Sequence, residues 1–221
     1  MDAVESGIND AGNWWQNARL DLLDRLLSKY HRGKRILSVG SGTAEELDIL
    51  DKYGKVDAID VVVTSKRVKK GSVTKIPSKA AVYDTIVLLD VLEHVKDHKK
   101  ACKEMHRVLK KGGRIIMTVP AIQWIFGEHD RALGHHRRYS KRTLRLVMKD
   151  FSTFRFTYWN SFLSLPVILS RKLRKSKGVD KIGVASGVDR AFELVLRLEN
   201  SLIGKGFGFP LGISLVGVIE R

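Results

Sequence analysis

Ile36-Leu37-Ser38-Val39-Gly40-Ser41-Gly42-Thr43-Ala44-Glu45 reads as a buried strand, a glycine turn and the opening of a helix. Glycine carries no Cβ, so a ligand can lie directly on such a turn. The helix that follows offers unpaired N–H groups and the positive end of its dipole. Structural strand–helix connections share this pattern, so the flanking chain has to decide what the turn is for.

Upstream, Asn13 to Tyr30 has helical periodicity. Leu20, Leu23, Leu27 and Tyr30 form a stripe that Leu22 and Leu26 widen. Gly33 ends it, and Arg35 to Val39 is the first strand. Downstream, Glu45 to Lys52 continues as a helix, and Lys55 to Val61 is a second strand with Asp60 near its end. A third strand is placed at Ser72 to Lys75. Only Val62 to Gly71 precedes it, less than the dozen or so residues a parallel crossover needs, so a shortened helical turn or a loop is expected there.

Tyr83 to Leu89 is nearly continuous in apolar residues, as in a central parallel strand buried on both faces. Asp97 is a candidate N-cap for a helix whose inner face is Ala101, Met105, Val108 and Leu109, with Gly112-Gly113 as its stop. Arg114 to Val119 is a fifth strand, closed by Pro120. Ala121 to Tyr139 is a long polar and aromatic loop, of a length usually associated with function. Ser140 caps a helix carrying Leu144, Val147 and Met148, and Phe151 to Trp159 alternates as a strand. Ser161 to Arg174 and Val188 to Ile203 read as helices joined by a basic loop, and Gly212 to Glu220 is the last strand.

This alternation predicts an α/β fold. The expected arrangement is a Rossmann-like doubly wound sheet of about seven strands, the last antiparallel, with a helical cap. The chain is expected to form one domain, residues 1–221. Within it, 1–33 is the cap, 34–160 and 210–221 the core, and 161–209 a helical insertion. Ligands of such sheets sit beyond the carboxyl ends of the strands, where Gly40, Asp60, Asp90 and Pro120 all fall.

Lys and Arg exceed Asp and Glu by 40 to 24, a formal charge of +16, which calls for an anionic partner: nucleic acid, lipid headgroups or a charged small molecule. One cysteine, Cys102, excludes an intrachain disulfide framework and fits a reducing compartment. No leader is legible in Met1 to Asn13, and the apolar run near Phe162 to Ser170 is too short to span a bilayer. A cytoplasmic location is therefore expected, with the inner membrane surface as a peripheral option. That option rests on the basic segment Arg171 to Lys181, which lies beside apolar helices and suits anionic lipid.

A glycine turn after the first strand and an acid ending the second form a nucleoside-binding arrangement, the acid accepting from ribose hydroxyls. A dinucleotide turn places a third small residue where this chain has Glu45, which disfavours that class. S-adenosylmethionine has no pyrophosphate and does not require it.

ILSVGSGTAEEL resembles motif I of class I S-adenosylmethionine-dependent methyltransferases. YDTIVLLDVLEHVKDHKKACKEMHRVLKKGGRIIMTVPA resembles the region from the fourth to the fifth strand in the ubiquinone-biosynthesis-like branch of that family. GEHDRALGHHRRYS and the early NWWQNAR resemble a subgroup acting on small-molecule or lipid- and glycan-linked acceptors. The resemblance implies S-adenosylmethionine contacts at Gly40, Ser41 and Gly42, at Asp60 and Val61, at Ser72 and Val73, and at Asp90 and Val91. Ser72 departs from the family, which often has an acid there.

On the acceptor side, His129, Asp130 and His135 are candidate catalytic residues, because His or Asp can serve as the base where an oxygen or nitrogen acceptor uses one. Trp14, Trp15, Arg19, His136, Arg137, Arg138 and Tyr139 are candidate acceptor contacts, with the arginines as a clamp for phosphate or carboxylate. Glu93 and His94 either line the pocket or bond locally at the helix entry. No metal is expected at His98, Cys102 and His106. They share a helix face, but at 1.5 Å per residue they span about 12 Å, too far for one ion.

The expected activity is methyl transfer to a small or lipid-linked, anionic acceptor. An RNA or DNA methyltransferase is the first alternative. It is disfavoured because Leu89-Asp90-Val91-Leu92 stands where such enzymes carry an N/D-P-P-aromatic motif. A non-catalytic cofactor-binding protein at a membrane or in a complex is the second.

Overall fold

A computed structural model describes residues 14–164 and 186–221. Helix α1 (Trp14–Tyr30) leads into β1 (Arg35–Val39), a single-turn α2 (Leu47–Leu50), β2 (Lys55–Asp60), a two-residue β3 (Lys69–Lys70) and β4 (Tyr83–Leu89). Then follow α3 (His98–Val108), β5 (Leu109–Pro120), a short α4 (Glu128–Ala132), α5 (Lys141–Val147), β6 (Thr153–Trp159), α6 (Ser186–Lys205) and β7 (Ser214–Glu220). The strands form one sheet in the order β3-β2-β1-β4-β5-β7-β6. β1 to β5 are parallel, and β7 runs antiparallel to both its neighbours. This is the expected doubly wound architecture.

Strand alternation divides the core in two. Ile36, Ala58, Val87, Ile116 and Val218 face one side, where Ala18, Leu22, Leu23, Leu26 and Leu27 of α1 and Leu196 of α6 pack on them. Leu37, Ile59, Ile86, Leu88, Ile115 and Met117 face the other, under Ala101, Met105 and Val108 of α3 and Leu144 of α5. Each fully buried leucine contributes about 1.5–3 kcal/mol, which outweighs the modest helix propensity of the short α2 and α5. The cap helix thus belongs to the core.

α6 is tied down by polar bonds as well. Glu199, fully buried, accepts from the backbone N–H groups of Ser161 and Phe162. Asn200 accepts from Trp159 Nε1 at 2.8 Å and donates to the Ala18 carbonyl at 2.8 Å.

Two expectations need correction. The third strand lies at Lys69–Lys70, pairing with Ile59 and Asp60. Ser72 to Lys75 is instead a turn, because the Ser72 hydroxyl accepts from Thr74 N and the Ser72 carbonyl from Lys75 N. Gly112-Gly113 also does not stop α3. The helix ends at Val108, and Lys110 to Gly113 bulges out of β5, whose register against β4 jumps between Tyr83–Leu109 and Thr85–Arg114.

The expected helix from Ser161 to Arg174 runs out of the described residues after Ser164. The basic segment Arg171 to Lys181 lies wholly outside them. No helix among the described residues is long and apolar enough to cross a membrane.

The strand order reverses between β1 and β4, so the crevice of the sheet opens at their carboxyl ends. Those ends are Gly40 and Asp90.

Candidate active site

The glycine turn is built by close approach. Gly40 has φ +72°, and a Cβ there would lie 2.4 Å from a methyl carbon of Val91. Only glycine fits both the backbone and the space. Gly42, also at positive φ, is the reverse case, since a Cβ there would meet nothing within 4 Å. The turn is thus pressed against Val91, just past β4, on one side and open on the other.

Asp60 stiffens it. One carboxylate oxygen accepts from Gly42 N and the other from Val62 N, each at 2.9 Å. A carboxylate has about four acceptor sites, so two stay available to ribose hydroxyls. Val61, Val62 and Val63 follow as exposed apolar surface beside it.

A cavity of about 130 Å³ lies over the turn, lined among others by Gln16, Arg19, Gly40, Ser41, Gly42 and Glu46. Ser41 is buried, and its hydroxyl has no hydrogen-bond partner within the described protein. A buried polar atom facing a cavity is a fit for a polar ligand. Arg19 reaches in from α1. Its guanidinium donates to Asp90 at 3.3 Å and to Gln16 at 2.8 Å, while its buried Nε has no partner among the described residues.

Asp90 itself has φ +56°, a left-handed conformation uncommon outside glycine, and its N–H is held by Thr118. Such backbone persists where the surroundings over-determine it, and it gathers at functional sites. The donor set suits a nucleoside joined to an amino acid: Asp60 for the ribose, the bare turn beneath the chain, and Arg19 for a carboxylate.

The loop after β5 is strapped down at both ends. Tyr139 N bonds the Pro120 carbonyl, and His136 N bonds the Glu93 carbonyl. Asp130, on α4 and buried, accepts from Gly127 N at 3.0 Å, lies 3.0 Å from His135 Nδ1, and pairs with Arg138 Nε at 2.8 Å. Burial alone would raise the Asp130 pKa, but these partners hold it well below the usual carboxylate range.

Glu93, in the turn Leu92–His94, is fully buried, and neither of its oxygens has a hydrogen-bond partner among the described residues. Burial raises its pKa, with the charge of Asp90 adding to the effect and Arg138 and Arg19 opposing it. Burial likewise lowers that of His94, helped by His135.

The acceptor-side candidates separate. His135 joins Glu93, His94, Asp130 and Arg138 in one cluster. His129 is half-buried on α4, and His136 is exposed. Arg137 spends its guanidinium on the carbonyls of Val95 and Lys96, and Arg138 on Ala121 and Asp130. The Tyr139 hydroxyl lies 2.8 Å from His98 Nδ1 and 3.3 Å from the Leu92 carbonyl oxygen, buried so that its pKa is pushed up. Trp14 packs edge-on against Phe192, and Trp15 lies 4.6 Å from Trp159.

Of the cofactor-side candidates, Gly40, Ser41, Gly42, Asp60, Val61, Asp90 and Val91 gather at the crevice. Val73 packs in the core, and the Ser72 hydroxyl is taken up by Thr74. Arg19 stands with the cofactor group rather than with the loop. Gln16 and Glu46 were not anticipated. Glu46 accepts from Ser38 at 2.7 Å, a pairing eight residues apart with no periodic signature.

Comparison with known proteins agrees with this fold. A family model described as a methyltransferase domain matches residues 14–152. A demethylmenaquinone methyltransferase of Alkalihalophilus pseudofirmus is 28% identical over 117 residues, 44% of this chain. The match spans about half, 49%, of that relative's length. An S-adenosylmethionine-dependent methyltransferase structure from Archaeoglobus fulgidus superposes with TM-score 0.60 at 15% identity, covering 94% of this chain and 93% of that one. Phosphoethanolamine N-methyltransferase 2 of Haemonchus contortus, solved with S-adenosylmethionine, gives TM-score 0.61 at 16% identity, covering 96% and 53%.

Proposed function

The chain belongs to the methyltransferase-domain family, and from that premise we propose that it transfers the methyl of S-adenosylmethionine to a small or lipid-linked acceptor bearing negative charge. The observation that carries the cofactor half is Asp60: a carboxylate fixed by Gly42 N and Val62 N beside an open glycine turn. The net charge of +16 supports the acceptor half.

The cofactor, when bound, supplies an electrophilic methyl on a sulfonium. Asp60 accepts from the ribose hydroxyls. Gly40 and Gly42 let the ligand lie on backbone, and the Ser41 hydroxyl gains a partner. Arg19, held by Asp90 and Gln16, meets the carboxylate of the methionyl group. The strapped loop from Ala121 to Tyr139 covers the reacting end and excludes water, and alignment supplies most of the acceleration in a displacement of this kind. His135, oriented by Asp130, and His129 are the candidates for handling an acceptor proton. Arg137 has to release backbone carbonyls, and Arg138 both a carbonyl and its ion pair with Asp130, before they can clamp an acceptor.

Incubation with methyl-labelled S-adenosylmethionine and fractionated extract of the host tests this. Label is expected in the small-molecule or lipid fraction. Label in RNA or DNA would replace the acceptor half of the reading. No label in any fraction, with the cofactor bound, would favour a binding protein.

A further inference from the structure

Glu93, His94 and His135 form a cluster outside the lining of the cavity over the glycine turn. Their potential ligand atoms all lie within 4.8 Å of one another. His135 Nε2 is 4.0 Å from a Glu93 oxygen, and the two imidazoles meet edge to face at 4.6 Å between centroids. Ligand atoms around a tetrahedral zinc are about 3.4 Å apart, given bonds of about 2.0–2.1 Å, so small rotations of the side chains close the gap.

Three further observations point the same way. First, Glu93 is completely buried and both its oxygens lack hydrogen-bond partners among the described residues, a costly state for a carboxyl group in either protonation form. Second, the nearby charges pair off and leave it over: Arg19 with Asp90, and Arg138 with Asp130. Third, His135 Nδ1 is bonded to the buried Asp130. That fixes the ring and directs Nε2 toward Glu93, the arrangement that carboxylates impose on metal-bound histidines. The backbone bonds from His135 N to the Asp130 carbonyl and from His136 N to the Glu93 carbonyl hold the two segments together.

We infer that Glu93, His94 and His135 bind one divalent transition-metal ion of the zinc type. Two imidazoles and a carboxylate are a donor set for zinc, with a fourth position left for an exchangeable ligand. The site adjoins the cofactor crevice through Asp90, which pairs with cavity-lining Arg19. An acceptor oxygen or nitrogen is a natural occupant of the fourth position; with Nε2 on the metal and Nδ1 on Asp130, His135 then holds the metal rather than taking the acceptor proton.

Competition titration of the chelator-stripped protein against a chromophoric zinc chelator, without S-adenosylmethionine, tests the site independently of the methyl-transfer reading. One equivalent of zinc is expected. Glu93→Gln and His135→Ala should each weaken it by at least about 100-fold, and Asp130→Asn by about 10–100-fold, as for outer-shell partners. His106→Ala, whose ring packs on Phe151, should bind as wild type.

Circular dichroism identifies any variant that fails to fold. X-ray absorption of zinc-loaded wild type then decides by itself, with two imidazole nitrogens and carboxylate oxygen expected. Substoichiometric binding by wild type, zinc retained by folded Glu93→Gln and His135→Ala, or a spectrum with sulfur or lacking carboxylate oxygen would overturn the proposal.

Discussion

Replacing Asp60 by alanine removes the group on which the proposed cofactor site turns. In the structure each of its oxygens already accepts one backbone N–H, from Gly42 and from Val62. Two acceptor sites remain for ribose hydroxyls. Hydrogen bonds to a charged group are worth about 1.5–3 kcal/mol each, so two lost ribose bonds cost about 3–6 kcal/mol. At about 1.4 kcal/mol per factor of ten, Kd for S-adenosylhomocysteine should rise about 10²–10⁴-fold.

Asp60→Asn is the milder test. It keeps one acceptor oxygen but turns an N–H donor toward Gly42 or Val62, and a rise of about 10–100-fold is expected. Calorimetric titration measures both, with thermal melts confirming that the variants are folded. A folded Asp60→Ala whose Kd stays within about threefold of wild type would refute the reasoning, since Asp60 would then only brace the turn.

Other perturbations test other parts of the account. Gly40→Ala should cost about 2–5 kcal/mol, from left-handed backbone strain and overpacking against Val91. Adding Val91→Ala should recover the overpacking share and leave the strain, and equal urea midpoints for Gly40→Ala and wild type would contradict this. Glu199→Ala leaves the N–H groups of Ser161 and Phe162 without their acceptor, at about 1–3 kcal/mol each, and should lower the unfolding midpoint clearly.

Asp130 has a folded pKa below its unfolded value of about 3.9. Its stabilisation is therefore present above that pH and lost as pH falls through it toward the folded value. Wild type should lose melting temperature more steeply than Asp130→Asn below about pH 4, and parallel profiles would show that the pairs to His135 and Arg138 contribute nothing.

The parts of this fold legible in the sequence are those where one local pattern decides. The apolar run Tyr83 to Leu89 reads as a central strand, and the alternation of Phe151 to Trp159 as a one-sided one. β3 was misplaced because two lysines paired at a sheet edge carry no hydrophobic signal, while Ser72 to Thr74 mimics a strand and closes as a turn. Most cofactor-side candidates come together at the crevice because they sit at strand ends of known order, whereas Ser72 and Val73, placed on a strand that is a turn, do not. The acceptor side was less legible. Arg137 and Arg138 stand in a basic run, and nothing in the run tells that Arg137 is spent on backbone carbonyls and Arg138 on a carbonyl and on Asp130. Spacing alone directed the metal question to His98, Cys102 and His106 on one helix. Glu93 and His94 meet His135 only because the loop folds back and bonds across to the Glu93 carbonyl.

The most direct test of the central claim is hydrogen–deuterium exchange of the wild-type protein with and without S-adenosylhomocysteine. Slowed exchange is expected in the segments containing Gly40 to Gly42, Asp60 to Val63 and Asp90 to Val91, at the carboxyl ends of β1, β2 and β4, with β6 and β7 unchanged. Saturating ligand that leaves those three segments unprotected, or protects a different face of the sheet, would contradict it.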